Sequence, residues 1–392
     1  MTSQHPPLAV AMIGHAFMGA AHSQAWRSAP RFFDLPLDPV MALVCGRDAG
    51  RAADAATRLG WAASESDWRR AVTREDIDLV DICTPGDSHA EIAVAALEAG
   101  KHVLCEKPLA NTVAEAEEMA AAAERAAAHG VRTMVGFTYR RVPAVALARQ
   151  LVAAGRIGEL RHVRAQYLQD WIADPEAPLT WRLDKERAGS GALGDIGAHV
   201  IDLAQHIAGD RILEVSGQLD TFVKERPLLA AGGVGLSGTA AAERGPVTVD
   251  DAAAFVARFA GGALGVFEAT RFATGRKNAI RVELNGSRGS LAFDFEDMNV
   301  LTFYDAEEPA ETAGFRRILV TEAAHPYVAA WWPPGHGLGY EHAFTHQVVD
   351  LVRALGAGVD PDPTFADGLQ VQRVLAAVET SSDTRRWQEI PA

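Results

Sequence analysis

The chain has 392 residues, of which 48% are hydrophobic and 22% charged, and its 51 acidic side chains outnumber its 37 basic ones for a formal net charge of −14. The length predicts two domains, and the composition is that of a folded globular protein, not a disordered one. The excess of negative charge disfavours nucleic acid and anionic membranes as partners.

The cysteines and the N-terminal residues indicate the cellular compartment. Cys45, Cys83 and Cys105 lie far apart with no C-x-x-C pair, so neither a disulfide framework nor a zinc–thiolate site is expected. Residues 1–7 carry no basic segment, and the apolar run Leu8–Ile13 that follows ends at Gly14, too early to serve as a signal peptide. The longest uncharged stretch is too short and too rich in glycine to cross a bilayer. We therefore expect a cytoplasmic protein that does not contact membranes.

Short apolar runs alternate with alanine-rich stretches through the first third of the chain. The apolar runs predict strands at Leu8–Ile13, Val40–Cys45, Leu79–Cys83, His102–Cys105 and Thr133–Phe137. The alanine-rich stretches predict a helix that ends at about Trp26 and further helices at Ala49–Gly60, His89–Ala99 and Thr112–His129. This alternation is typical of βαβ units, so we expect an α/β protein whose N-terminal domain, residues 1–137, holds a doubly wound parallel sheet.

The pattern changes from about Pro143, where one more helix runs to Ala154 and longer strands with polar alternation follow. These strands are predicted at Leu160–Leu168, Ala253–Phe259, Ala263–Arg271, Ala279–Asn285 and Ser290–Phe295, with a helix inside 189–209 and loops at 230–246 and 326–339. Short turns at 260–262 and 285–287 indicate antiparallel neighbours. Residues 138–392 are therefore expected to form an α+β domain on a large, open, mostly antiparallel sheet, with C-terminal helices that can pack back on the first domain.

A glycine-rich turn, G-x-A-x-x-G, joins the first strand to the first helix. Gly14 would make the tight turn and Gly19 would let helix and strand approach, while Ala16 takes the place of the glycine nearest a bound pyrophosphate. The free N–H groups at such a helix start suit a dinucleotide. At the end of the second strand Gly46 stands where an acid selective for NAD is expected, and Arg47 follows it, so these residues permit NAD or NADP.

Two further segments carry side chains suited to catalysis. Lys107 follows a strand of the predicted parallel sheet, and strand ends of this kind line the ligand crevice. Asp195 and His199 are four residues apart, which places carboxylate and imidazole on one helical face. A histidine can accept the proton of a hydroxyl that loses a hydride, and a lysine can stabilise the developing alkoxide. The alternative is structural: Asp195 caps its own helix and His199 packs in the core.

A second histidine pair at the same spacing, His342 and His346, has no supporting third ligand in the sequence. Two histidines four apart on a helix can bind zinc, but a partly exposed helix face is the simpler interpretation. No metal site is therefore predicted. The aromatic segments around Tyr327 and Trp331–Trp332 are interpreted either as a loop over a pocket or as an oligomer contact.

Glu106-Lys107-Pro108 after the dinucleotide-binding half, followed by a glycine-rich D-x-G-x-H-x-x-D helix from Asp195 to Asp202, resembles the glucose-fructose oxidoreductase and inositol dehydrogenase family (Gfo/Idh/MocA). The resemblance covers nearly the whole chain. It implies a Rossmann domain, a second domain whose open sheet often forms dimer and tetramer contacts, and NAD(P)-dependent oxidation of a sugar or cyclitol, with NAD favoured over NADP. It also implies a cis peptide bond at Lys107–Pro108.

The same resemblance implies residue roles. His199 would be the general acid/base, Lys107 its partner at the reacting hydroxyl, and Asp195 a residue that orients substrate or histidine. The cofactor contacts would be Gly14, Ala16, Phe17, Met18, Gly19, Arg47, Asp48, Thr84, Pro85, His89 and Glu106. The substrate contacts would be Tyr139, Arg140, Gln169, Asp170, Trp171, Trp181 and Arg182, although core packing explains the two tryptophans equally well.

Three functions stay open at this point. The first is a dehydrogenase acting on a neutral pyranose, anhydrosugar or cyclitol. The second is an NAD-dependent glycosidase that oxidises its substrate transiently, and the third is a non-enzymatic sugar or nucleotide sensor. A neutral small molecule, a homodimer or homotetramer, and no nucleic acid or membrane are the expected partners. The negative field of the chain suits a neutral ligand better than an anionic one.

Overall fold

A computed structural model describes residues 5–229 and 240–391. The chain divides into two compact units. Unit 1 comprises the residues up to Arg141 together with Tyr327–Trp332 and Leu338–Gln370, and unit 2 comprises Val142–Pro326, Pro333–Gly337 and the residues from Val371 onward. The boundary at residue 137, with C-terminal helices that pack back on the first domain, stays a prediction.

The strands and helices in chain order are as follows. The strands are β1 Pro7–Ile13, β2 Asp38–Cys45, β3 Ala63–Glu65, β4 Leu79–Ile82, β5 His102–Cys105, β6 Thr133–Val135, β7 Leu160–Leu168, β8 Ile212–Asp220, β9 Glu225–Leu229, β10 Ala240–Pro246, β11 Ala252–Phe259, β12 Leu264–Thr270, β13 Ala279–Gly286, β14 Gly289–Asp294, β15 Val300–Asp305, β16 Arg316–Leu319 and β17 Gln388–Glu389. The helices are α1 Phe17–Phe32, α2 Ala49–Leu59, α3 Trp68–Val72, α4 His89–Glu98, α5 Val113–Ala127, α6 Pro143–Ala153, α7 Lys185–Ala188, α8 Ala198–Ala208, α9 Tyr340–Ala357 and α10 Phe365–Thr384.

Unit 1 is built on a six-stranded parallel sheet in the order β3-β2-β1-β4-β5-β6. The order reverses beside β1, so β1 and β4 flank the switch point where ligands bind in such sheets. β4 is buried at every residue, as expected for a parallel strand covered on both faces. Apolar residues of α9 pack with α1 in the same core, which explains why this late helix belongs to unit 1.

Unit 2 is built on a nine-stranded sheet in the order β16-β15-β14-β13-β7-β12-β11-β8-β17. All neighbours are antiparallel except β7 and β12, which run parallel. Buried and more exposed residues alternate along β7 and β11, so one face of the sheet is covered and the other is open. The predicted fold class, a doubly wound parallel sheet plus an open, mostly antiparallel one, is confirmed.

Some predicted elements need correction. The predicted loop 230–246 is wrong at its end, because Ala240–Pro246 is a strand paired with Glu225–Leu229, and residues 230–239 lie outside the described part of the chain. The segment 326–339 holds one short 3₁₀ turn, Val328–Ala330. α1 runs on past Trp26 to Phe32 and contains Pro30. In the part of the chain that the structure describes, no helix is long and apolar enough to cross a membrane.

Candidate active site

The turn after β1 is shaped by two glycines. Gly14 has a φ of +100°, and a Cβ at this residue would lie 2.8 Å from the carbonyl oxygen of Cys83. A Cβ on Gly19 would overlap the carbonyl oxygen of Gly14. Ala16 is the N-cap residue of α1, and its side chain makes no capping hydrogen bond to the N–H groups of the first turn. Close backbone packing and N–H groups at a helix start fit a dinucleotide pyrophosphate.

At the end of β2, a glycine is followed by an exposed arginine. A Cβ on Gly46 would overlap the imidazole of His15, so the histidine ring lies where a side chain at residue 46 would begin. Arg47 is exposed beside it. Asp48 caps α2, where its Oδ1 accepts a 2.8 Å hydrogen bond from the N–H of Arg51. This capping role explains the presence of Asp48 without any ligand, and its contact with a cofactor stays a prediction.

His89 connects the end of β4 to the turn after β5. Its Nε2 lies 2.9 Å from the carbonyl oxygen of Thr84, and its Nδ1 lies 3.0 Å from that of Pro108. The ring is 1% exposed. The Lys107–Pro108 peptide bond is cis, as the resemblance implied. The structure therefore gives His89 a supporting role between two segments of the site, and a direct contact of His89, Thr84 or Pro85 with cofactor stays a prediction.

Glu106 is buried at the end of β5. Its Oε1 lies 2.9 Å from Nε2 of His22, and its Oε2 accepts a 3.2 Å hydrogen bond from the N–H of Lys107. His22 in turn contacts Asp81 of β4. The sequence interpretation missed His22 and Asp81. A charged residue inside the run Leu79-Val80-Asp81-Ile82 was the available signal, because a fully buried strand tolerates a carboxylate only when it has partners.

The predicted substrate contacts of unit 1 already have protein partners. Arg140 is 7% exposed, and its Nη1 donates a 2.7 Å hydrogen bond to Oδ1 of Asp362. The rings of Tyr139 and Phe17 each lie 6.4 Å from the ring of Tyr340. Phe17 is 69% exposed, so its contact with Tyr340 places an aromatic ring that solvent reaches beside the glycine turn.

The histidine pair of α9 serves packing. Nε2 of His346 accepts a 2.7 Å hydrogen bond from the indole N–H of Trp331, and its Nδ1 lies 2.9 Å from the carbonyl oxygen of Arg141. Burial lowers the pKa of His346 to about 3, so the ring is neutral. Nδ1 of His342 accepts a hydrogen bond from the N–H of Gly339 at the start of the helix. Both ring nitrogens of His346 are thus used by the protein itself.

In unit 2, the segment with Asp195 starts with a widened turn. Residues Leu193–Gly197 form a π-type turn that continues into α8, an irregularity often found at functional sites. A Cβ on Gly191 would overlap the backbone of Asp250. The Asp250 carboxylate accepts 2.7 Å hydrogen bonds from the N–H groups of Gly191 and Leu193. The glycines of this segment therefore let a buried aspartate fix the turn that holds Asp195.

A buried arginine lies behind Asp195. Arg271 is 0% exposed, its Nη1 is 3.6 Å from Oδ2 of Asp195, and its Nη2 donates a 3.1 Å hydrogen bond to the carbonyl oxygen of Asp250. Burial raises the pKa of Asp250, although its two backbone hydrogen bonds and Arg271 act in the opposite direction. Among the described residues, Nε and Nη1 of Arg271 have no hydrogen-bond partner. A permanent positive charge is thus directed at the Asp195 carboxylate.

His199 lies beside a series of hydrogen-bonded side chains that leads to a tryptophan. The rings of His199 and Tyr167 are 5.8 Å apart, and the Tyr167 hydroxyl donates a 2.6 Å hydrogen bond to Oδ1 of Asn278. Gln169 also contacts Asn278, and its Oε1 accepts a 2.9 Å hydrogen bond from the indole N–H of Trp171. The structure therefore places His199, Gln169 and Trp171 along one connected set of side chains.

The other predicted substrate contacts of unit 2 contact neighbouring groups of the protein. Asp170 accepts hydrogen bonds from Nζ of Lys277 at 2.8 Å and from the N–H of Gly275 at 2.9 Å, and these donors lower its pKa. The guanidinium of Arg182 lies 4.4 Å from the ring centre of Trp181. Trp171 packs beside a small buried cluster, so core packing accounts for part of its burial: Ile172, Leu183, Val247 and Val249.

The fold and the glycine turn define a class of protein, and comparison with known families confirms it. Residues 8–137 match the family described as "Oxidoreductase family, NAD-binding Rossmann fold", and residues 145–292 match the "GFO/IDH/MocA C-terminal domain". The chain belongs to the Gfo/Idh/MocA family and is an NAD-binding oxidoreductase. The family, the enzyme class and NAD as a cofactor were all expected from the sequence.

Among individual proteins, the chain is similar to levoglucosan dehydrogenase of Pseudarthrobacter phenanthrenivorans, with 44% identity over 98% of each sequence. A structure of levoglucosan dehydrogenase in complex with NADH and levoglucosan matches with a TM-score of 0.92 and 43% identity, over 98% of this chain and 100% of that one. A crystal structure of an oxidoreductase domain protein from Kribbella flavida matches with a TM-score of 0.94 and 74% identity, over 99% and 100%.

Proposed function

We propose that the protein catalyses the NAD-dependent oxidation of a secondary alcohol on a neutral pyranose, anhydrosugar or cyclitol, with levoglucosan the first substrate to test. The observation that carries the proposal is the start of α8, where Asp250 fixes the turn and Arg271 lies 3.6 Å from Asp195. The similarity to levoglucosan dehydrogenase over 98% of both sequences supports the same conclusion.

Each proposed catalytic residue has one task. The chemistry that NAD would supply when bound is that of a hydride acceptor for the carbinol carbon. His199 accepts the proton of the hydroxyl, so that the alcohol becomes a ketone and the histidine an imidazolium. The Lys107 ammonium stabilises negative charge on the oxygen while this proton leaves. Asp195, with Arg271 behind it, orients the substrate or the histidine, and the connected residues Gln169 and Trp171 contact the sugar.

The proposed cofactor choice is NAD over NADP, and the proposed assembly is a homodimer or homotetramer. Gly46 provides no acidic side chain, and the exposed Arg47 beside it would accommodate the ribose phosphate of NADP. The similar levoglucosan dehydrogenase was solved in complex with NADH, which favours NAD. The open face of the nine-stranded sheet supports association between copies of the chain. A net charge of −14 favours a neutral substrate.

The test is NADH formation with saturating NAD and one alcohol at a time: levoglucosan, myo-inositol or glucose. We expect NADH to accumulate with at least one of these, most rapidly with levoglucosan. A broader panel of sugars and glycosides follows if it does not. Cleavage of a nitrophenyl glycoside without net NADH would mean a glycosidase, and NAD binding without turnover of any compound would mean a sensor. Either result would reject the dehydrogenase.

A further inference from the structure

A histidine in the core of unit 1 lies between two carboxylates. His22 is on α1 and is 1% exposed. Its Nδ1 lies 2.9 Å from both carboxylate oxygens of Asp81, and its Nε2 lies 2.9 Å from Oε1 of Glu106. An ionised carboxylate can only accept hydrogen bonds, so both ring nitrogens must donate. The geometry therefore fits an imidazolium better than either neutral tautomer.

The surroundings of His22 stabilise this charge. Burial lowers the pKa of His22, but the charge and hydrogen bonds of Asp81, together with a further contribution from Cys83, more than reverse that effect and leave the pKa well above the ordinary value. The indole N–H of Trp26 also donates a 2.7 Å hydrogen bond to Asp81, and the ring of Phe344 lies 5.5 Å from the imidazole. The titratable groups that face the ring come from β4, β5 and the residue after each of these strands: Asp81, Cys83, Cys105 and Glu106.

The same cluster does not suit a metal ion. Donor atoms of His22, Asp81 and Cys83 lie within 4.8 Å of one another. Burial raises the pKa of the Cys83 thiol, so the thiolate that would bind a metal is disfavoured. Nδ1 of His22 is used by Asp81. A network of hydrogen bonds around one positive charge accounts for all three side chains.

We propose that His22 is a buried imidazolium that acts as a positioning residue for the segment Glu106-Lys107. His22 holds Oε1 of Glu106, and Oε2 of Glu106 accepts the N–H of Lys107, so the position of the proposed reacting lysine depends on a charge in the core. The inference rests on the proposed role of Lys107. His22 itself is too deeply buried to touch substrate.

The variant His22→Gln keeps a hydrogen-bonding side chain and removes the charge, which leaves Glu106 buried without a cation. The matched control is His346→Gln, because His346 is an equally buried but neutral histidine of the same unit. We expect His22→Gln to lower kcat about ten- to a hundredfold at neutral pH, since a small misplacement of a reacting group has effects of this size. We also expect kcat to fall further toward acidic pH, because an unpaired buried carboxyl protonates more easily.

Three measurements separate positioning from a loss of folding: kcat against pH, urea unfolding, and NAD affinity by calorimetry. The double variant His22→Gln/Glu106→Gln should regain stability relative to His22→Gln without regaining kcat. A His22→Gln enzyme with wild-type kcat and pH profile, or one that changes only as the His346→Gln control does, would overturn the proposal. If the wild-type protein oxidises no alcohol, the proposed function fails. A weakened NAD affinity in His22→Gln, but not in His346→Gln, would then still support a positioning role at Glu106, and an unchanged affinity would reject it.

Discussion

Both units keep a buried positive charge behind a residue of the proposed site, but they do so with different chemistry. In unit 1 the charge is on His22, whose two ring nitrogens each lie 2.9 Å from a carboxylate oxygen. In unit 2 it is on Arg271, whose Nη1 is 3.6 Å from Asp195, a side chain that is 30% exposed. The histidine is charged at neutral pH only because the neighbouring groups raise its pKa, whereas the arginine is charged at any accessible pH. The first arrangement supports backbone from within the core, and the second acts on a side chain that solvent reaches.

The largest effect is expected from Lys107→Ala, which tests whether the support in unit 1 serves a reacting group. Loss of the ammonium should lower kcat about 10²- to 10³-fold, as loss of one stabilising group at a developing oxyanion does, while NAD affinity stays nearly intact. Steady-state kinetics and calorimetry measure the two quantities, with Lys101→Ala as the control in the same unit. If Lys107→Ala retained most of its activity, Lys107 would have no part in the mechanism and the pair His22–Glu106 would be purely structural.

The second test compares two buried arginines of unit 2. Arg271 and Arg226 are both 0% exposed, but Arg226 donates to the carbonyl oxygens of Ile172, Asp174 and Ala177. Replacement of either by methionine should cost about 3 kcal/mol of unfolding free energy, since each leaves buried polar partners without a cation. Only Arg271→Met should also lower kcat/KM, by up to about 10²-fold.

Urea unfolding and steady-state kinetics of both variants decide the matter. Equal kinetic losses in Arg226→Met and Arg271→Met would show that the ion pair with Asp195 has no specific role. A kinetic loss confined to Arg271→Met would show that the charge acts through Asp195.

The third test uses pH to contrast a charged with a neutral buried histidine. Burial lowers the folded-state pKa of His346 to about 3, below its value of about 6.5 in the unfolded chain. Its contribution to stability is therefore complete above about pH 6.5 and declines as the pH falls toward 3, by at most about 1.4 kcal/mol per pH unit. The raised pKa of His22 has the opposite sign: its contribution is complete below about pH 6.5 and declines as the pH rises through the folded-state value.

His346→Gln should accordingly be less stable than the wild type by about 1–3 kcal/mol at neutral pH, because the indole N–H of Trp331 loses its acceptor. The difference should shrink below about pH 6. Unfolding in urea across this pH range measures it. A difference that stays constant with pH would mean that burial does not lower the pKa of His346 in the folded protein.

The sequence was sufficient for the parts of the fold and site that depend on short patterns. Mainly apolar runs predicted β1, β4 and β5, although β4 includes Asp81, and the three-residue β3 was missed because it is mostly exposed and carries no such run. The Gly14–Gly19 turn and the Asp195–His199 spacing are likewise local. The supporting groups were missed because their partners are distant along the chain: His22 is 59 residues from Asp81, and Gly191 is 59 residues from Asp250.

The smallest effect is expected from Arg47→Ala, where the positive charge is exposed and not buried. Arg47 follows Gly46, against which the His15 ring packs, so no acidic side chain competes for the adenosine ribose. An exposed ion pair contributes about 0.2–1 kcal/mol, so the affinity for NADP should fall by at most about fivefold while that for NAD hardly changes. Calorimetric titration with both cofactors at low and high salt measures this, since screening should reduce the NADP effect. Equal losses for both cofactors would place Arg47 away from the ribose. A loss for NADP alone would show that cofactor choice depends on an exposed charge, whereas both proposed catalytic segments are supported by buried ones.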